Sequence, residues 1–136
     1  DLECMAVIDL AFARGALSRE QDAHCPFVGR EGILDLPGLR HPLIEPGRCV
    51  ANDLELGARF SVLLLSGPNA GGKTVAMKAM ALAALMARAG LHVPAEARAR
   101  VDLFDGVIAE VGDHQDLAEN LSTFSAAMAH LAEVLR

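Results

Sequence analysis

The chain has 136 residues, of which 52% are apolar and 22% charged, and a net charge of −6. This is enough core-forming material for one domain and too apolar for intrinsic disorder, while the acidic balance excludes a broad grip on nucleic-acid phosphates by this stretch alone. The longest strongly apolar run, Ala79 to Ala87 between Lys78 and Arg88, is far short of the ~18–20 residues that span a bilayer, so no membrane segment is expected.

Taken in chain order, Asp1 to about Ser18 predicts a helix, because Met5, Ile8, Phe12 and Ala16 recur at three and four residues. Val7 and Leu10 make the other side apolar too, so this helix is expected to be covered around most of its circumference. It carries Asp1, Glu3 and Asp9 where a leader would be basic, and reads as a chain entered in mid-helix. Pro26, Gly29 and Gly32 mark a connector. Short strands are expected at Ile33 to Leu36 and Val50 to Leu56, separated by the proline-broken loop LRHPLIEPG. The run FSVLLLSG does not alternate, which suits a strand buried on both faces of a parallel sheet. Gly72 to about Ala89 is rich in Ala, Leu, Met and Lys and predicts a helix, with Gly90 at the C-terminal cap. VDLF and VIAEV flank Asp105-Gly106 as a strand-turn-strand. Ser122 or Thr123 then caps a last helix with Phe124, Ala127, Met128, Leu131 and Leu135 on one stripe. The cysteines Cys4, Cys25 and Cys49 are odd in number and lack C-x-x-C spacing, which suggests neither a disulfide framework nor a zinc site and fits a reducing cytoplasm. His24 beside Cys25 lacks further ligands at suitable spacing and reads as an ordinary loop pair.

Between the apolar run and the second helix stands SGPNAGGKTV, and Gly67-x-x-x-x-Gly72-Lys73-Thr74 within it is a P-loop pattern. Small residues let successive backbone N–H groups curl around a polyphosphate, Lys73 can reach the β and γ phosphates, and the Thr74 hydroxyl can ligate Mg²⁺. The helix that follows would add its positive dipole end to the same anion. The strand, glycine loop and helix together predict binding of a nucleotide polyphosphate with Mg²⁺ and an α/β fold, without choosing among kinases, GTPases and mechanical ATPases.

Four further stretches resemble the MutS family of ABC-type ATPases. RHPLIEP (Arg40 to Pro46) looks like that family's Arg-His-Pro loop, with VANDLELG similar to the segment that follows it. GPNAGGKT matches the family's GPN-x-GGK-[ST] loop, LHVPAEARA is similar to its VPA segment, and VGDHQDLAENLSTFSAAM to the stretch leading into its Ser-Thr-Phe helix. Within the family, GGKTVAMK, GLHVPAE, GDHQDLAENLSTFS and HPLI are closer to the type 2 branch, often tailed by an Smr nuclease domain, than to mismatch-repair members. The resemblance implies a P-loop NTPase of the ABC-ATPase type with a partial three-layer sheet and flanking helices. Residues 1–25 would then be the end of a lever or clamp helix. Residues 26–136 would be the N-terminal part of the ATPase domain, without its Walker B half, its dimerisation region or the Smr region.

By the same resemblance, Gly67, Pro68, Asn69, Ala70, Gly71, Gly72, Lys73 and Thr74 would hold phosphates, with Thr74 on the metal. Cys49 and Val50 would stand against the adenine, although core packing explains a buried Cys49 equally well. His41 would contact nucleotide or merely satisfy backbone groups. Asp113, Gln115 and Asp116 would approach Mg²⁺ or be solvated turn residues. Ser122 and Thr123 would reach a partner's γ-phosphate across a dimer, act as a helix cap, or both. The activity implied is that of a dimeric ATPase and endonuclease acting on branched DNA to limit recombination, or on collided ribosomes and their rRNA to split them. The alternatives are a mismatch-binding DNA-repair ATPase and a non-hydrolysing nucleotide-binding regulator. Hydrolysis needs an apolar strand ending in Asp-Glu. After Thr74 no such run appears, since VIAEV has only Glu110, so this stretch alone is expected to turn over ATP negligibly.

Overall fold

The computed structural model describes residues 1–68 and 71–109. Helix α1 spans Leu2–Glu20, close to the expected range, and Asp1 caps it by accepting from the Glu3 N–H at 3.4 Å. None of its residues is buried among the described residues, and Leu2, Met5, Val7, Ile8, Leu10 and Phe12 are all at least half exposed. The expected cover for this all-round apolar helix is therefore not supplied by the described residues. Its C-terminal end is tied down by polar contacts, Arg14 Nη2 to the Ala89 carbonyl at 3.0 Å and Ser18 Oγ to His92 Nδ1 at 2.7 Å.

Strand β1 covers Leu34–Leu39 and β2 covers Asn52–Leu56; they pair antiparallel, with Leu34 opposite Leu56 and Leu36 opposite Leu54. Strand β1 runs three residues further than expected. Pro37 and Gly38 are absorbed by an irregularity between Leu36 and Leu39, where the Gly38 N–H is taken by Asp53 Oδ1 at 2.7 Å. A two-residue β3, Arg100–Val101, pairs antiparallel with the other edge of β1, so the sheet order is β2-β1-β3.

Helix α2, Lys73–Arg88, lies against this sheet with Ala79, Ala83 and Ala87 on its buried face. Four-residue spacing puts these alanines on one stripe, and their small side chains let the helix approach Leu36, Leu39, Val93 and Val101, which are among the largest fully buried side chains. The helix ends as expected. Gly90, at φ +71°, donates to the Ala87 carbonyl at 3.0 Å, and the Leu91 N–H reaches Met86 at 2.9 Å, a Schellman closure of the orphan carbonyls.

Two expectations need correction. The described strands form a small antiparallel sheet with one packed helix, not a parallel, three-layered one. Residues 60–66 do not join it. Leu63 and Leu65 pack against the core, but Val62 is 80% and Leu64 87% exposed, so only one side of this extended run is covered by described residues. Nor, among the described residues, does Asp105-Gly106 join two strands. After Val101 the chain leaves the ladder because Asp102, fully buried, turns its carboxylate to the loop before β1. Oδ2 accepts from the N–H groups of Glu31 at 2.6 Å and Ile33 at 3.1 Å, and Oδ1 from Arg100 Nε at 2.8 Å. Hydrogen bonds from Arg100, then from Ile33 and Glu31, outweigh burial and hold the Asp102 carboxyl down at about 2. Arg100 also pairs with Glu31 at 2.8 Å and stacks over the Phe27 ring at 5.4 Å. The expected helix from Ser122 or Thr123 and the VIAEV segment from Glu110 onward lie outside the described residues. No helix of the described residues is long and apolar enough to cross a membrane.

Candidate functional site

The loop ahead of α2 is shaped by its glycines. Gly72 caps the helix at φ +76°, a left-handed conformation that a side chain would strain, and offers no side-chain acceptor to the first turn. At Gly71 a Cβ would come within 3.0 Å of the Pro68 carbonyl, which already accepts the Gly71 N–H at 2.9 Å. The first turn of α2 carries no acidic residue, so its N–H groups and positive dipole end meet no carboxylate from their own helix. Lys73 Nζ folds back to donate to the Gly67 and Pro68 carbonyls, both at 2.6 Å. Among the described residues no carboxylate pairs with this ammonium, and two neutral carbonyls hold it at the loop. Such a donor set, an ammonium beside free helix N–H groups, is chemically matched to an anion with several oxygens.

A cavity of about 560 Å³ opens beside the loop. One group of lining residues comes from the loop and helix, including Ser66, Gly71, Gly72 and Lys73; the other comes from residues 44–54, including Arg48, Cys49, Val50 and Asn52. A tight turn builds this second wall, in which the N–H groups of Arg48 and Cys49 both donate to the Glu45 carbonyl, at 2.9 and 3.1 Å. Cys49 Sγ accepts the His41 N–H at 3.2 Å, and Asn52 Nδ2 holds the Val50 carbonyl at 3.0 Å. The structure thus brings Cys49 and Val50 to the same cavity as Gly71, Gly72 and Lys73, from more than twenty residues away in sequence.

Other anticipated residues are placed differently. The His41 ring does not line this cavity; its Nδ1 accepts the Leu43 N–H at 3.2 Å, the backbone-satisfying role. His41 lines instead a larger cavity of about 680 Å³ between the end of α1 and the Arg40–Pro46 loop. That space has no glycine loop or helix N-terminus, and its Arg40 guanidinium is engaged by the Asp22 carbonyl at 2.7 Å and carboxylate at 3.0 Å. Thr74 is exposed and does not line the smaller cavity. Gly67 and Pro68 act through the carbonyls that hold Lys73. Asn69, Ala70, Asp113, Gln115, Asp116, Ser122 and Thr123 lie outside the described residues. His24 Nδ1 contacts the Ala95 carbonyl at 2.9 Å, and the described residues contain no group of three metal-ligating side chains. Sequence reasoning missed Ile44, Arg48 and Asn52 as lining residues. The signal available was their closeness in sequence to Cys49 and Val50, between Pro42 and the start of β2 at Asn52.

The family described as MutS domain V matches residues 63–136, more than half of the chain. The chain belongs to the MutS family. It is similar over almost its whole length to proteins called Endonuclease MutS2. The Symbiobacterium thermophilum protein is 46% identical over 134 residues, 98% of this chain. The Bacillus velezensis protein is 39% identical over 136 residues, and the Bacillus subtilis protein, called putative endonuclease MutS2, 40% over 135. The chain spans 17% of the length of each of these relatives. Its match to MutS domain V begins at Leu63 and takes in the whole glycine loop and α2.

Proposed function

We propose that this chain is the ATP-binding portion of a dimeric MutS type 2 ATPase and endonuclease, a P-loop NTPase of the ABC-ATPase type. The observation that carries the reading is the cavity in which Cys49 and Val50 meet Gly71, Gly72 and Lys73. It joins a phosphate-type donor set to a second wall with room for a nucleoside, within the size range of small-ligand sites. Gly71, Gly72 and Lys73 would hold the phosphates, the Thr74 hydroxyl would be one ligand of Mg²⁺, and Cys49 and Val50 would flank the base. The bound metal would neutralise phosphate charge. The chain's own contribution is to orient the phosphates with loop amides and the Lys73 ammonium and to exclude water around the base.

The acid pair that hydrolysis requires does not occur in these residues, so turnover is assigned to the longer protein. The same holds for action on branched DNA to suppress recombination, or on collided ribosomes. The names of the relatives favour an endonuclease over a mismatch reader. The test is calorimetric titration of MgATP into the intact gene product and its Lys73→Ala variant. Removing the ammonium should weaken binding about 10- to 100-fold, from the roughly 1.5–3 kcal/mol of a hydrogen bond to a charged group. Undiminished binding refutes the assignment of this loop.

A further inference from the structure

Nucleobases are commonly held against a flat π surface, and among the described residues this cavity has no aromatic one. The chain has five Phe, no Tyr and no Trp. Phe12, Phe27, Phe60 and Phe104 are all absent from the cavity lining, and Phe124 lies outside the described residues. With phosphates at Gly71 to Lys73, a base must lie against the wall made by residues 44–54. Of the flat polar groups of that wall, the Asn52 amide is held by the Val50 carbonyl at 3.0 Å, which leaves Arg48, the cavity's cation besides Lys73 among the described residues.

Three features suit Arg48 to the task. Its backbone is pinned, because its own N–H and that of Cys49 converge on the Glu45 carbonyl. Its guanidinium makes no ion pair or hydrogen bond among the described residues, unlike Arg40, Arg59, Arg88, Arg98 and Arg100, whose guanidinium groups are all engaged. Its chemistry is right, since a guanidinium is planar, delocalised, weakly hydrated and able to stack on a π face while keeping its charge.

We propose that Arg48 is the stacking partner of the nucleobase, its guanidinium plane standing where an aromatic ring would otherwise be needed. The ligand class is a nucleoside triphosphate, and the inference rests on the nucleotide reading above. Arg48 would act on the base end and Lys73 on the phosphate end. The two roles separate experimentally, because inorganic tripolyphosphate has the phosphates without the base.

The experiment titrates MgATP and magnesium tripolyphosphate separately into the intact protein and its Arg48→Ala, Arg48→Phe and Lys73→Ala variants. Arg48→Ala should weaken ATP by about 2- to 30-fold, the range of a cation–π contact, and leave tripolyphosphate unchanged. Arg48→Phe, which restores a flat face without charge, should recover most of the ATP affinity. Equal weakening of both probes by Arg48→Ala would make Arg48 a phosphate contact and overturn the proposal, as would unaltered ATP binding or no recovery with Phe. Tripolyphosphate binding that survives Lys73→Ala undiminished would be a separate failure, that of the phosphate site itself.

Discussion

Replacing Asp102 by asparagine keeps the side chain's shape and removes its charge, at a position with no solvent exposure. All four hydrogen bonds to the carboxylate come from donors: Glu31 N, Ile33 N and Arg100 Nη2 reach Oδ2 at 2.6, 3.1 and 3.1 Å, and Arg100 Nε reaches Oδ1 at 2.8 Å. In Asp102→Asn one oxygen becomes an NH₂ that faces a donor in either orientation, either the two backbone amides or the guanidinium. Orphaning buried donors costs roughly 1–3 kcal/mol, and breaking a fully buried pair roughly 3–5 kcal/mol. Since Arg100 keeps 25% of its side-chain exposure, water can repair part of the loss, and about 2–3 kcal/mol is expected.

The pH dependence tests the charge itself. The folded pKa of about 2 lies below the ordinary 3.8, so the ionised carboxylate stabilises the fold above pH ~4 and this contribution disappears as pH falls from about 4 towards 2. Its size is at most about 2 kcal/mol once screening by solvent around Arg100 is allowed for. Urea unfolding of wild type and Asp102→Asn at a series of pH values from neutral down to 3 reads both quantities. The gap between the two proteins should be widest at neutral pH and narrow as pH drops below 4. A gap under about 0.5 kcal/mol at neutral pH, the usual scatter of surface substitutions, would refute the claim that this carboxylate anchors the 29–33 loop. A gap that does not change with pH would refute the assigned depression of its pKa.

The remaining predictions concern the cap of α2 and the wall of the cavity. Gly90→Ala places a Cβ at φ +71°, with Arg14 Nη1 the nearest atom at 3.5 Å, so backbone strain and not a clash should lower stability by about 1–2 kcal/mol in thermal or urea melts. Gly90→Asn should lose less, because asparagine tolerates the left-handed region, and equal losses would argue against the Schellman reading. Saturating MgATP should slow maleimide labelling of Cys49 while leaving Cys4 and Cys25, which do not line the cavity, unaffected; mass spectrometry of the three peptides checks this. Undiminished labelling of Cys49 would separate its turn from the nucleotide site.

The elements legible in the sequence were those whose cause is local. Helix α2 begins one residue after Gly72 and ends one before Ala89 because glycine caps and helix-forming residues act within a turn of themselves. The glycine loop was legible for the same reason. A strand, by contrast, is a relation between two segments, and no property of FSVLLLSG says what stands beside it. Its unbroken apolar run suggested burial on both faces, whereas only Leu63 and Leu65 pack on the core and Val62 and Leu64 stand exposed among the described residues. The same logic divides the site. The proposed phosphate end is a contiguous motif, whereas Arg48 and Asn52 join the same cavity only because the antiparallel pairing of β1 with β2 carries the turn before Asn52 back to the start of α2. Motif reading therefore points to the part of the proposed site that is written in consecutive residues, while the proposed base-facing wall depends on long-range register. That is why Arg48, with no motif of its own, emerges only when the fold sets it beside Lys73.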